Sequence, residues 1–363
     1  MTDTLATGSH PAPDQPTPDR TTPDHPAPDH PAPDHPAPDR PSASGPTPIQ
    51  PTDTPKDAPV GLADDPEIRI TAHIYQRVFG VPPAALRRAP GGLTLLGGVA
   101  HTPDAARGPA LAVALAWGAV VAAGPHPEGG VDLYSMNRHT DRCTSLDRVP
   151  DWAAGAAEAL RAHADPPPPA RMVVDRELPA ETGLLSGAET VCAAAMALGD
   201  LHGPPLASGP SAATPEYLAA LHSRARHALL ITSDGPEQIP FDLHAAGLRL
   251  MVIDVGATEQ AIPAEPDPGI VERAAAALRA GYPAGLGPLL TEVHVPGRPT
   301  LDLALTAARD AGALGGRALG RCAVALVPLE AVPRVRAEVI GRLGGHTRRP
   351  PRFLTAVASG RNG

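Results

Sequence analysis

The chain has 363 residues and a formal net charge of −9, with 48 Pro, 36 Gly and only 2% aromatic residues. That length suffices for one large or two medium domains, and the acidic balance gives no footprint for nucleic acid. Lys56 is its only lysine, which excludes chemistry that needs a lysine in the folded part: a Walker-type phosphate loop, a protein-kinase site or a Schiff base. Cys143, Cys192 and Cys322 are scattered without metal-ligand spacing and read as small buried hydrophobes in a reducing cytoplasm. No basic-then-apolar signal region begins the chain, so a cytoplasmic location is expected.

Residues 1 to about 60 are low in complexity. TPDHPAPDHPAPDHPAPDRP repeats with a period of five and places Asp14, Asp19, Asp24, Asp29, Asp34 and Asp39 in register. Such a composition cannot bury a core, and its prolines favour extended polyproline II. A disordered, solvated spacer is therefore expected. Weak metal binding through His10, His25, His30 and His35 is the less favoured reading. A protein partner for the Pro-rich segment is a further reading, although HPAPD lacks the basic flank that proline-recognition ligands usually carry.

From about Glu67 the composition becomes globular. IYQRVFG reads as a helix; LTLLGGVA and ALAVALAWGAVVAA read as strands. The apolar run GPALAVALAWGAVVAAG is under 18 residues and rich in Gly and Ala, which argues for a buried strand over a membrane span. WAAGAAEALRAHA reads as a helix and ARMVVDREL as a strand. The turn ELPAETGLLSGAET follows, then the helix TVCAAAMALG. HALLITSDG and LRLMVIDVG read as strands. IVERAAAALRAG, PLLTEVH and LDLALTAARDAGA read as helices, RCAVALVPL as a strand and PRVRAEVIGRL as a helix. Mixed elements without regular β-α alternation predict an α+β fold in two lobes.

The order and wording of these segments resemble a galactokinase of the GHMP kinase superfamily. RRAPGGLTLLGG resembles that family's first motif, a strand and turn that bind sugar. VVDRELPAETGLLSGAET resembles the second, the phosphate loop. SRARHALLITSDG, LRLMVIDVGA, AALRAGYPAGLGPLLTEVH, TLDLALTAARDAGALGGRALGRCAVALVPLEAV and PRFLTAV resemble the segments that follow. The resemblance implies a two-lobed GHMP-kinase-like α+β fold, with a ribosomal-S5-like lobe over residues 67–205 and a ferredoxin-like lobe over 206–358. It also implies ATP-dependent phosphorylation of galactose at C1. Nucleotide and sugar would be the partners of an active enzyme, with ATP and Mg²⁺ as its reagents and no role for nucleic acid or membrane.

The motifs themselves depart from the family pattern. Gly92 stands where the family has an arginine near the transferred phosphate. The sugar-reading Gly-Glu-His-Thr-Asp run falls on Gly97, Gly98, Val99, Ala100 and His101, so no sugar-binding residue is retained. His101 or Asp104 could be a remnant, but HTPDAARG reads better as a surface turn. The catalytic aspartate position falls on Glu216, one methylene longer; its other reading is a first-turn helix acid after Pro215. The glycine run of the third motif is thinned at GGRALG, and the chain is shortened between LLTEVH and PTLDL.

The phosphate loop pattern maps onto Glu181 to Ala188, retaining Gly183, Leu184 and Ser186 as the candidate phosphate-binding residues. No metal ligand is assigned. Ser186 and Glu189 also form the S-x-x-E pattern of a capping box: Ser186 would accept from the Glu189 N–H, and Glu189 would reach back to the Ser186 N–H. On this reading the chain supplies its own anion where a phosphate would sit. Three functions stay open: an active sugar kinase, a non-catalytic binding or regulatory protein on the kinase fold, and an eroded copy. Loss of the sugar readers favours the last two.

Overall fold

Asp65 caps the first helix, α1 (Pro66–Phe79). Its carboxylate accepts the Glu67 N–H at 2.9 Å, proline fills the first helical position, and Gly80 ends the helix in the left-handed region, the proline-first, glycine-last pattern of helix ends. The computed structural model describes residues 65–97, 108–204, 214–264 and 267–360. These all belong to one unit, Asp53–Gly363. The repeat segment with its histidines, Lys56, and the 98–107 stretch that carries Gly98, Val99, Ala100, His101 and Asp104 lie outside the described residues.

The larger sheet is built on two long strands, β1 (Ala85–Gly97) and β2 (Ala110–Pro125), paired antiparallel with register shifts between Pro90 and Gly91 and between Thr94 and Leu96. The apolar run read as a buried strand is β2, buried along its length except at Ala116, Trp117 and Pro125. It takes this form because both of its faces are covered, which removes the alternation of a half-exposed strand. β3 (Val131–Ser135), β4 (Arg142–Cys143), β5 (Ala170–Arg176), β6 (His227–Thr232) and β7 (Gly235–Pro240) complete it in the order β4-β3-β5-β2-β6-β7, with β1 on β2. The smaller sheet has the order β11-β8-β10-β9, from β8 (Leu248–Asp254), β9 (Gly315–Leu319), β10 (Cys322–Pro328) and β11 (Arg352–Ala356).

Helices cover these sheets on stripes of small residues. α2 (Ala154–His163) and α3 (Ala188–His202) lay Ala156, Leu160, Ala193, Ala197 and Leu198 against Val121, Leu133, Met172 and Val174 of the larger sheet. The two helices approach closely because Gly155 has no side chain: a Cβ there would stand 2.9 Å from Thr190 Cβ. α7 (Pro299–Asp310) and α8 (Val332–Leu343) bury Leu301, Leu305, Val335 and Val339 on Met251, Ile253, Ala323 and Ala325 of the smaller sheet. The alternate residues Leu250, Val252, Val324 and Leu326 join Leu93, Leu95, Leu115, Leu184 and Leu185 in another core cluster. That division is the period of two along a strand. α4 (Pro215–His222), α5 (Pro268–Arg279) and α6 (Leu286–Glu292) complete the helices; α5 adds Ile270 and Val271 to the cluster with Leu93 and Leu95. Each fully buried leucine contributes roughly 1.5–3 kcal/mol.

The two-sheet α+β architecture is the expected one. All three cysteines are buried, and burial pushes the Cys322 thiol up to about 12, with Asp254 adding to the effect and Arg349 opposing it. Among the described residues no helix is long and apolar enough to cross a membrane.

Candidate functional site

The turn between β5 and α3 begins at Glu177. A short 3-10 turn, Ala180–Thr182, is closed by Gly183 in the left-handed region at φ 56°, and Gly187 at φ 97° is the N-cap of α3. Leu184 and Leu185 turn inward, each 6% exposed, whereas Ser186 is exposed.

The expected capping box does not form. Ser186 Oγ accepts the Ala188 N–H at 3.4 Å, not that of Glu189. Glu189 Oε2 accepts the Gly187 N–H at 3.2 Å, not that of Ser186. Two physical causes shift the cap by one residue. Gly187 takes a left-handed conformation that a side chain resists, so the helix starts after it. The Glu189 carboxylate is drawn into the interior, fully buried, by Arg176, whose Nη2 and Nε lie 2.7 and 3.0 Å from Oε1. The same guanidinium donates to Leu185 O at 3.4 Å, bracing the turn from beneath.

Glu216 stands in the first turn of α4, after Pro215, with Thr214 as the N-cap accepting from the Tyr217 N–H. Its placement as a helix acid therefore holds. Its carboxylate also accepts the Thr94 hydroxyl at 2.5 Å. Two successive glycines of β1 bring it beside the turn. A Cβ on Gly91 would stand 2.7 and 2.8 Å from the two δ-carbons of Leu185, and one on Gly92 would stand 1.9 Å from Glu216 O. Turn and helix are thus seated directly on the β1 backbone. Of the four candidate residues, Gly183 and Leu184 support the turn, Ser186 lies at its surface, and Glu216 faces Thr94.

The turn is covered from the smaller sheet. A Cβ on Gly320 would stand 2.0 Å from Gly183 O, and one on Gly183 would meet the Gln260 amide at 2.9 Å. The Arg321 N–H donates to Thr182 O at 2.8 Å, its Nη1 donates to Glu181 O at 3.3 Å, and Gly320 O accepts the Ala261 N–H at 2.6 Å. Glu181 itself is exposed and pairs loosely with Arg138 at 3.4 Å.

These residues fit a nucleotide triphosphate poorly. A helix N-terminus binds phosphate through free N–H groups and positive charge. Here the Gly187 and Ala188 N–H groups already meet oxygens of the chain, Glu189 adds a negative charge, and the Arg176 cation is taken by Glu189. Among the described residues no group of three or more His, Cys, Asp or Glu could hold a metal ion. Thr94, Arg176 and Gln260 were not singled out from the sequence: Thr94 and Arg176 fall inside the first and second motif segments, but the resemblance gives neither a role, and Gln260 lies in no motif.

Residues 151–240, which include both the turn and Glu216, match the family described as the GHMP kinases N terminal domain. No curated protein sequence matches the chain significantly. Among solved structures, the galactokinase of Lactococcus lactis complexed with galactose is 17% identical, covering 81% of this chain and 99% of that one at a TM-score of 0.65. Homoserine kinase from Cytophaga hutchinsonii is 15% identical, with 76% and 95% coverage and a TM-score of 0.54. Mevalonate diphosphate decarboxylase from Staphylococcus aureus is 11% identical, with 77% and 96% coverage and a TM-score of 0.52. At these identities the likeness is one of fold. At residues 151–240 the chain is similar to the N-terminal domain of the GHMP kinase superfamily, and over most of its length it shares the fold of these solved structures.

Proposed function

We propose that the protein is a galactokinase-like member of the superfamily in which phosphoryl transfer is lost or strongly impaired, and that it acts by binding or regulation. The observation that carries this reading is the contact at Gly92. The position where the resemblance calls for an arginine has Glu216 backbone oxygen 1.9 Å from any added Cβ, so the place of that cation is filled by α4. Phosphoryl transfer rests on positioning and on neutralising charge with preorganised groups. In this chain a leucine, a buried ion pair and a helix backbone stand in their place. Turnover measured with galactose, ATP and Mg²⁺ on the purified full chain tests the reading. No activity above background is expected; ordinary kinase turnover, about 1–100 s⁻¹, overturns it.

One observation favours a second reading, an active kinase for another hydroxylated small molecule. Glu216, where the resemblance puts the family's catalytic aspartate, is a half-buried carboxylate oriented by Thr94. A screen of small alcohols and sugars by ADP release addresses it. Activity that Glu216→Gln abolishes would support this second reading against the first.

A further inference from the structure

The smaller sheet holds a buried cation that no anion pairs with among the described residues. Arg317 lies on β9 and is 7% exposed. Its Nη1 donates to Leu95 O at 3.0 Å, and its Nε is buried with no acceptor. Among the described residues no carboxylate forms an ion pair with it. Two other mostly buried guanidiniums do have a carboxylate: Arg176 has Glu189 at 2.7 Å, and Arg88 has Glu177 at 2.6 Å. Burial alone pushes the Arg317 guanidinium down to about 10, where it still carries its charge at neutral pH. A charge held out of water without a partner is costly, and an apolar side chain of similar volume would remove that cost.

The surroundings are formed rather than accidental. The register shift between Thr94 and Leu96 leaves Leu95 out of the β1–β2 ladder, which turns its carbonyl to the guanidinium. His294 is close enough to feel the Arg317 charge; its Nδ1 accepts the Ala318 N–H at 3.4 Å and its Nε2 lies 3.1 Å from Asp302. Burial lowers the His294 pKa first, Asp302 raises it, and the charges of Arg317 and Arg309 lower it further. The Asp302 carboxylate is engaged elsewhere, accepting the Gly297 and Arg298 N–H groups at the start of α7, and does not reach Arg317.

We propose that Arg317 is the anion-binding group of a small site between β1 and β9, and that its ligand presents a carboxylate or phosphate oxyanion. The planar guanidinium is matched to such groups, which accept two parallel N–H bonds from it. The proposal is independent of the catalytic reading and concerns residues distinct from the turn and Glu216. Anion titrations of the full chain test it, followed by thermal melts and by calorimetry, with inorganic phosphate and acetate as separate arms and chloride at matched ionic strength as the reference. A saturable rise in melting temperature is expected with at least one oxyanion and not with chloride, and the arm that responds identifies the ligand class. Arg317→Met is expected to raise the melting temperature of the ligand-free protein and to abolish the saturable response. Arg317→Lys, which keeps the charge and loses the fork, is expected to weaken binding at least tenfold, so the test stands even where the methionine variant folds poorly. Wild type that responds to neither oxyanion beyond chloride, or variants that respond as wild type does, would overturn the proposal.

Discussion

Replacing Glu189 by alanine discriminates between a surface cap and a buried ion pair. A helix cap alone is worth about 1 kcal/mol. The Glu189 side chain is fully buried, however, and the Arg176 side chain is 13% exposed. Removing one partner of a buried pair leaves the other uncompensated and costs about 3–5 kcal/mol. Against a total stability of roughly 5–15 kcal/mol for a domain, Glu189→Ala should therefore move the urea midpoint far down. Glu189→Gln, which keeps the shape and part of the hydrogen bonding, should lose about 1–3 kcal/mol. The double substitution Arg176→Met with Glu189→Met removes both charges and should lie closer to wild type than Glu189→Ala does, because a well-packed apolar pair often replaces a buried ion pair without loss. Urea melts followed through Trp117 and Trp152, the two tryptophans of the chain, give all four midpoints. The reasoning fails if Glu189→Ala stays within about 1 kcal/mol of wild type, or if the double substitution is no better than the single one.

The contact at Gly92 makes its substitution structural. Gly92→Ala should destabilise by about 1–3 kcal/mol or more, and Gly92→Arg should not create galactokinase activity, since α4 backbone must first move; activity in Gly92→Arg would count against the closed-site account. Asp175 supplies a pH dependence. Burial first, then Glu67 and Glu177, push its carboxyl up to about 6 against an opposing Asn137 hydrogen bond. A folded-state value above the unfolded one means that stability is greatest below about pH 4 and declines as pH rises through 6. Asp175→Asn should thus gain on the order of 1–2 kcal/mol at pH 7.5, after discounting for solvent screening, and almost nothing at pH 4; equal melts at pH 7.5 refute it. Asp254 holds the β11 end of the smaller sheet. It binds Arg349 at 2.9 and 2.8 Å through its two oxygens, Arg352 at 3.3 Å and the Gly256 N–H at 2.9 Å. Asp254→Ala should cost about 2–4 kcal/mol and speed amide exchange across residues 352–356. Unchanged exchange there would contradict it.

The elements whose pattern is local were legible before the structure. The uninterrupted apolar run of β2 and the Ala-rich stripes of α2, α3 and α5 follow from residue spacing alone, as does Glu216 in a first helical turn behind Pro215. The capping box was misplaced by one residue, because its pattern does not show which residue takes the left-handed conformation; Gly187 does, and the start of α3 follows it. The Arg176–Glu189 pair spans the turn, and the Gly92–Glu216 contact joins segments far apart in the chain. Neither leaves a mark in any short window of sequence. Arg317 lies in the thinned third-motif segment GGRALG, but nothing in that segment shows that its guanidinium is buried.

The edge of β2 away from β1 is stitched by segments from very different points in the chain. β6 pairs at Ala110–Ala112, Ser359 bridges at Ala114, the Glu177 N–H bonds Gly118 O, and β5 pairs from Ala119 to Pro125. During synthesis the central strand of the larger sheet is therefore made early and finished late: part of its ladder stays open until the segment after β11 has left the ribosome. Such non-local pairing slows folding and leaves an apolar strand edge available to other chains in the meantime. A chain cut before Ser359 keeps that gap permanently, so the yield of soluble protein should depend more steeply on residues 352–360 than their modest burial suggests.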